Sequence, residues 1–359
     1  MLKVLPYKTM NDRLAAERIK NILQAIIMQY IHTGEPVGSE ALSRKHSPHL
    51  SPATIRNIMS EMEEMGYLMQ PHASAGRAPT DKGFRFYVDS ILKVRELPWA
   101  EREKINARCQ RSQEIEDVMS DASSVLSSLS SCMGVVLAPK FDNVFIKHIE
   151  FIRLGKTQIM MLLVSNSAII QNRIVRIEED LKQHDLERMS AYLNSIAKGL
   201  TLQRLKKKII QEMRKEKNLY DAMMAKALKL SKMALDKDKN TDNIYVEGKA
   251  NILDQPEYAL DAEKMKLLFR AFEEKSTLVK ILDKAMDLQG VQIFIGPESG
   301  FDEISGCSVV TAPYSSEGNV LGTLGVIGLT RMNYARVIPL VNYTAGLLSD
   351  IMARREAVL

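Results

Sequence analysis

The chain is poor in cysteine. Its 359 residues hold only Cys109, Cys132 and Cys307, an odd number set far apart. That spacing fits neither a disulfide framework nor a zinc site. Long apolar runs are missing too. No stretch approaches the roughly 20 residues that a membrane-spanning helix needs. Residues 1–8 lack the apolar core and cleavage site of a signal peptide. Together these absences predict a protein of the reducing cytoplasm with no membrane partner. Neither sign of charge dominates: a net +5 permits nucleic-acid binding without demanding it. Catalytic fingerprints are also absent. Gly322, Gly325 and Gly328 lack the spacing of a dinucleotide or phosphate loop, and no Lys-Ser/Thr follows them. Gly296-Pro-Glu-Ser-Gly300 has its serine one place late for a nucleophile elbow and reads as a turn. His46 and His49 have no third metal ligand nearby, and no Ser/His/Asp or paired-carboxylate set stands out. The expectation is no enzyme, no cofactor and no resident metal.

What is present begins with Ser51-Pro-Ala-Thr-Ile-Arg-Asn-Ile-Met-Ser-Glu-Met-Glu-Glu-Met-Gly66. Ser51 is an N-cap residue, and Pro52 stands at the first helical position, where its missing N–H costs nothing. Gly66 suits the left-handed residue that ends a helix. Ile55, Ile58, Met59 and Met62 recur at helical spacing and form one apolar stripe. Ala53, Arg56, Asn57 and Ser60 form the opposite face, with Thr54 on its flank. Arg reads guanine and Asn reads adenine in the major groove. Taken alone, the pattern also fits an ordinary amphipathic helix whose polar face meets water.

The neighbouring segments favour recognition. Leu14 to Thr33 carries Ile19, Ile22, Leu23, Ile26, Ile27 and Tyr30 on one helical face, closed by Gly34 and Pro36. Ser39 can cap a short helix from Glu40 to Lys45, with Leu42 turned inward. The order of long helix, short helix, turn and helix is that of a helix-turn-helix. Tyr67-Leu-Met-Gln70 reads as a strand. The small-residue loop Pro71 to Thr80 then places Arg77 at its tip, with Ser74 and Gly76 allowing close approach. Such a loop fits a wing lying on a phosphate backbone or in a minor groove. The predicted DNA-contacting set is Ser51, Ala53, Thr54, Arg56, Asn57, Ser60, Ser74, Gly76 and Arg77.

Beyond residue 80, Thr80 can cap a helix through Tyr87, Val88, Ile91 and Leu92. Arg95 to Arg111 is charged and contains Pro98, so it reads as a linker or an exposed helix. Glu114 to Ser131 is a Ser-rich helix. Short apolar or alternating runs at 133–138, 144–152, 158–164 and 168–175 read as strands. Leu181 to Met233 reads as helices only. Its basic stretch from Arg204 to Lys232 reads chiefly as the solvated face of an amphipathic helix. Glu263 to Met286 is a further amphipathic helix. Runs at 291–296, 307–311 and 322–329 are strands, and Asn333 to Arg354 is a final helix. Strands, then a helical block, then strands predict an α+β domain with a helical insertion.

Several strings resemble the bacterial heat-inducible transcription repressor HrcA family. They are Gly34-Glu-Pro-Val-Gly-Ser39, Leu50-Ser-Pro-Ala-Thr-Ile-Arg-Asn57, Glu64-Met-Gly-Tyr67 and Ser74-Ala-Gly-Arg77. Pro79-Thr-Asp-Lys-Gly-Phe-Arg-Phe-Tyr-Val-Asp89, Gly322-Thr-Leu-Gly-Val-Ile-Gly328 and Thr330-Arg-Met-Asn-Tyr-Ala-Arg-Val-Ile-Pro339 complete the set. The chain departs from the family pattern at Ala73, Leu329 and Asn333, where threonine, proline and aspartate are usual. Ala73 leaves no hydroxyl for a contact at that position of the wing. The resemblance implies an N-terminal winged helix-turn-helix followed by a GAF-like α+β domain with an inserted helical dimerisation domain. The expected division is a DNA-binding domain at 1–92, a linker at 93–112, GAF-like parts at 113–180 and 244–359, and the insertion at 181–243. The resemblance further implies a homodimeric repressor of chaperone operons on double-stranded DNA. Its operator would be the inverted repeat called CIRCE, the GroE chaperonin would keep it active, and heat would relieve repression. Bound to its operator, such a protein would sit on the bacterial nucleoid. The alternative is a ligand-gated regulator whose GAF-like domain senses a small molecule.

Overall fold

The computed structural model describes residues 10–46, 48–72, 75–112, 114–139, 144–166, 170–177, 179–215, 222–236, 244–253, 262–286, 288–316 and 318–358. Ala73, Ser74, the start of the strand expected at Ala168, and 216–221 and 237–243 of the insertion lie outside the described residues. The fold is α+β.

The described residues between Met10 and Ser90 form a head. Helix α1 (Met10–Thr33) buries Ile22, Leu23, Ile26 and Ile27 and ends at Gly34, whose φ of 70° suits glycine. Helix α2 (Ser39–Lys45) turns Leu42 inward. Ser39 does not cap it: Gly38 holds the N-cap position without a side-chain bond, and Ser39 lies inside the helix, largely buried. Helix α3 (Pro52–Glu64) starts as its sequence requires, with Ser51 Oγ accepting from Thr54 N at 3.1 Å. Ile55, Met59 and Met62 enter the core, and Ile58 is half-buried. Strands β1 (Leu68–Met69) and β2 (Ala78–Pro79) pair antiparallel. Helix α4 (Asp81–Ser90) is capped by Thr80 Oγ1, which accepts from Gly83 N and donates to Gly66 O at 2.7 Å.

The segment 93–112, expected as a linker or an exposed helix, contains helix α5 (Trp99–Cys109), which is not merely exposed but packs on the body. Ile105 and Cys109 are fully buried, Tyr343 donates to Asn106 Oδ1 at 3.0 Å, and Arg336 pairs with Glu101. Two apolar residues at helical spacing were enough to recruit this charged stretch. Burial pushes the Cys109 thiol up to about 12, so it stays protonated and unreactive.

The body is built on a five-stranded antiparallel sheet. Its strands are β3 (Met133–Leu137), β7 (Ile244–Glu247), β8 (Gln292–Ile295), β9 (Cys307–Ser316) and β10 (Asn319–Leu329). Their order is β7-β3-β10-β9-β8. Helices α6 (Ile115–Ser130) and α13 (Tyr334–Val358) cover one face, on Val136, Val310, Leu324 and Val326. The stretch 263–286 breaks at Glu274 into two helices rather than one. These later helices, numbered after the short α10 (Ala250–Leu253), are α11 (Ala262–Glu273) and α12 (Lys275–Met286). They cover the other face, on Met133, Val135, Val309 and Ile327.

Between β3 and β7 the chain builds a separate unit. Strands β4 (Ile146–Arg153), β5 (Gln158–Ser165) and β6 (Ile170–Arg176) pair only with one another among the described residues. Helices α7 (Gln183–Ala197) and α9 (Ala222–Asp236) pack against them, and α8 (Leu202–Lys215) packs on α9 and α7. The boundary expected at residue 180 therefore cuts through one sheet–helix unit, which starts near residue 144. The reason lies in α7. Asn194 bonds both the N–H and the C=O of Ile149 at 2.8 Å, Ser190 accepts from Phe151 N, and Gln183 accepts from Arg153 N. These side chains occupy the free edge of β4, which would otherwise expose unpaired backbone groups.

Head and body meet along α4. Phe84, almost wholly buried, lies 6.1 Å from the Tyr334 ring and 6.3 Å from the Tyr30 ring. Arg85 forms a forked pair with Glu298, with Nε to Oε1 at 3.0 Å, and donates to Ile293 O at 2.6 Å. Burial acts to raise the Glu298 carboxyl, but hydrogen bonds from Arg85 and from Ile295 N outweigh it and hold it below the usual carboxylate range. The Tyr334 hydroxyl, fully buried, donates to Thr330 O and shares a bond with Ser308 Oγ, each at 2.7 Å. Tyr334→Phe keeps the ring but leaves the Thr330 carbonyl without its donor and the Ser308 hydroxyl without its acceptor, so a loss of about 1–3 kcal/mol is expected. Urea unfolding of the variant checks it, and an unchanged midpoint would show the hydroxyl to be dispensable.

Candidate nucleic-acid interface

The outer face of α3 is open to solvent. Ser51, Ala53, Arg56 and Asn57 are exposed, while Thr54 and Ser60 are half-exposed. The spacing puts Ala53, Arg56, Asn57 and Ser60 on one side of the helix, because the other side is held in the core by Ile55, Met59 and Met62. Neither Arg56 nor Asn57 is engaged by another described residue. Thr54 is partly committed already, its Oγ1 lying 2.9 Å from Ser51 Oγ.

Beside this face runs an open cleft of about 760 Å³ between α2, α3 and the β1–β2 loop. Arg44, Lys45, Arg56 and Arg77 give it positive charge. Glu40 offsets part of it through an exposed pair with Arg44 at 3.2 Å. Such a pair is screened by water and salt and adds little to stability. Sequence reasoning singled out Arg56 and Arg77 but passed over Arg44 and Lys45. The signal was available: two adjacent cations close a helix one turn before the recognition segment.

The loop differs from its expected shape. Arg77 is at the base, not the tip. Its N–H and C=O both pair with Val37, at 2.9 and 2.8 Å, joining the loop to the segment before α2. Its side chain, only 18% exposed, lies with Nε 2.8 Å from Glu63 Oε2 on α3, although the N–H is not aligned for a hydrogen bond. The β1–β2 register sets Met69 opposite Ala78, and Gln70 Nε2 donates to Ala75 O at 3.0 Å. Gly76 does allow close approach, but to protein. A Cβ there would lie 2.4 Å from the Val37 carbonyl group. Among the described residues no cluster of His, Cys, Asp and Glu could hold a metal, and no helix is long and apolar enough to cross a membrane.

A family profile described as HrcA protein C terminal domain matches residues 116–338. A heat-inducible transcription repressor HrcA of Geobacter sulfurreducens is 48% identical over 94% of this chain and 98% of its own length. The chain belongs to the HrcA family. A second member, from Syntrophobacter fumaroxidans and carrying the same name, is 40% identical over 94% of this chain and 97% of its own length. Among solved structures, one described as a hypothetical protein at 2.2 Å resolution aligns with 94% of this chain and 99% of its own, at a TM-score of 0.57 and 21% identity. That likeness concerns the fold alone. The HrcA profile covers α6 through the start of α13, so the head lies outside it, whereas the two full-length relatives span nearly the whole chain.

The close packing at Gly76 yields a test. Gly76→Ala forces the loop base away from Val37 and breaks the two-bond bridge, and overpacking of this kind costs about 1–3 kcal/mol. Thermal unfolding is expected to show the loss. A variant as stable as the parent would mean that the loop shifts freely.

Proposed function

We propose that this HrcA-family chain is a heat-responsive transcription repressor that reads an inverted-repeat operator as a homodimer. The observation that carries the reading is the uncommitted Arg56–Asn57 pair on the outer face of α3, beside a cationic cleft. Residues 1–92 act as a winged helix-turn-helix. Arg56 takes a guanine edge, Asn57 an adenine edge, and Ala53 lets the helix approach closely, with Ser60 beside them. Ser51 and Thr54 stand at the helix N-terminus, where phosphate is favoured. Lys45 and Arg44 hold the backbone across the cleft. Ser74 and Gly76 remain assigned to the wing, with Arg77 contributing once phosphate competes with Glu63.

One winged helix buries too little surface to find an operator among genomic competitors, so two act together about a two-fold axis. The unit from Val144 to Asp236 supplies the dimer contact in this reading. The edge of β4 is occupied by α7, whereas β6 exposes Ile170 and Ile174 beside half-buried Met160, Leu162 and Val164. Apolar surface on this exposed face of the sheet supports association there. The five-stranded sheet of the body, GAF-like in this reading, is covered on both faces, which fits a scaffold.

The relatives' name, heat-inducible transcription repressor, supports a role at heat-shock genes. In this reading the operator is the CIRCE element and the GroE chaperonin is the partner that maintains activity, as the resemblance to the family implies. Loss of activity on heating requires only a marginally stable repressor, for which about 1–2 kcal/mol alters the active fraction several-fold. The reading places the protein in the bacterial cytoplasm, at the nucleoid when bound.

Two substitutions test it. Arg56→Ala is expected to cost about 1–3 kcal/mol on the operator and to relax preference at one base pair. Footprinting and titration on matched and random duplexes measure this, and equal losses on both would reduce Arg56 to a phosphate contact. Glu63→Gln removes the charge that neutralises Arg77. Affinity for DNA of any sequence is expected to rise, with the salt dependence steeper by roughly one unit. An unchanged slope would exclude Arg77 from the interface.

A further inference from the structure

We infer that Arg85 is a positioning residue: it sets the angle of the DNA-reading head on the body and thereby the half-site spacing the dimer accepts. The inference rests on the reading of the head as DNA-binding. Its physical basis is an unbroken series of directional contacts from α3 to the body. The C-terminal end of α3 is held by α4. Thr80 donates to Gly66 O at 2.7 Å, Lys82 donates to Met65 O at 2.7 Å, and Thr80 N bonds Tyr67 O at 3.0 Å. One turn along α4, Arg85 reaches the body.

There the guanidinium uses several of its donors. Nε and Nη2 grip the two oxygens of Glu298, Nη2 also reaches Ile293 O, and Nη1 bonds Asp89 of its own helix at 3.2 Å. The receiving turn is itself held. Glu298 accepts from Ile295 N at 2.9 Å, and Lys284 on α12 donates to Ser299 O at 3.0 Å. A second feature shows how closely the two parts meet. Gly296, at a φ of 56°, faces the Asp81 carboxylate so nearly that a Cβ would lie 2.6 Å from Oδ2. The Phe84–Tyr334 contact also joins head and body, but a tilted ring pair permits sliding. A forked guanidinium–carboxylate pair does not, because each N–H must point at its oxygen.

The consequence for DNA is geometric. Half-sites of an inverted repeat present the same face of the duplex only at separations differing by a whole turn, about 10 base pairs. Heads locked to the body reject a spacer lengthened by about 5 base pairs, which turns one half-site to the far side of the duplex. Heads on a slack tether accept it.

The test uses the full-length protein and the inverted repeat that it protects. Binding is measured on the native spacing, on spacers longer by about 5 and about 10 base pairs, and on a single half-site. Arg85→Ala and Glu298→Gln are compared with the parent, with circular dichroism confirming fold; should Arg85→Ala not fold, Glu298→Gln on the body side carries the test. Each is expected to keep half-site affinity within about twofold, to lose about tenfold at the native spacing, and to narrow the penalty for the half-turn spacer. Arg85→Lys, which retains charge but not the fork, is expected to fall between. The double variant is expected to lose no more than the worse single one, since both remove one contact. An unchanged spacing profile would overturn the inference and leave the DNA reading intact. Equal losses on half-site and full site would also overturn it, by placing Arg85 in the head's own stability. A parent protein that protects no inverted repeat would overturn the DNA reading, and this inference with it.

Discussion

Strand β10 is bonded along both edges by strands from opposite ends of the body's sequence, and the architecture depends on that pairing. β3 lies on one side, with Gly134 opposite Val326, and β9 lies on the other, with Val310 opposite the same residue. The chain between β3 and β10 must therefore leave the sheet and return to it. It returns as β7, which takes the outer edge of β3. The unit of β4–β6 and α7–α9 is what can be built within that excursion. It coheres because its own sheet has an apolar face for α7 and α9, and because α7 closes the edge of β4 with side-chain amides and a hydroxyl.

The same sheet orients the head. β10 leads through a short turn into α13, and Tyr334 at the start of α13 meets both the sheet, through Ser308, and the head, through Phe84. On the neighbouring side, the turn after β8 presents Glu298 to Arg85. Two successive residues of α4, one apolar and one charged, thus reach two different parts of the body. The division of labour is physical. The buried rings supply non-directional attraction, and the guanidinium supplies direction.

Within the head, charge is deployed economically. Arg77 spends its charge on Glu63 and its backbone on Val37, so it shapes the cleft more than it faces solvent. Arg56 and Asn57, on the outer side of α3, are left uncommitted. A reading surface needs such groups, since a side chain already satisfied by protein gains little from a base edge.

Much of this was legible in the sequence. Ser51, Pro52 and the Ile55–Met59–Met62 stripe defined α3 and its outward face, because capping and helical periodicity are local. The α+β character and most strands followed from short apolar runs for the same reason. Other features were decided by contacts across long separations. The pattern of β4–β6 announced strands but not their partners, so the insertion appeared to begin at residue 181 instead of near 144. The charged segment 93–112 looked like a linker because two buried residues, Ile105 and Cys109, carry its packing. Arg77 read as a wing tip because nothing local reveals that Val37 pairs with it. Arg85 and Glu298, 213 residues apart, meet only once the sheet has formed. Sequence alone determined most of the helices and strands and which face of α3 looks outward. Tertiary structure decided which strands pair, which cations are already committed, and how the head is aimed, because these depend on groups that the chain brings together only after folding.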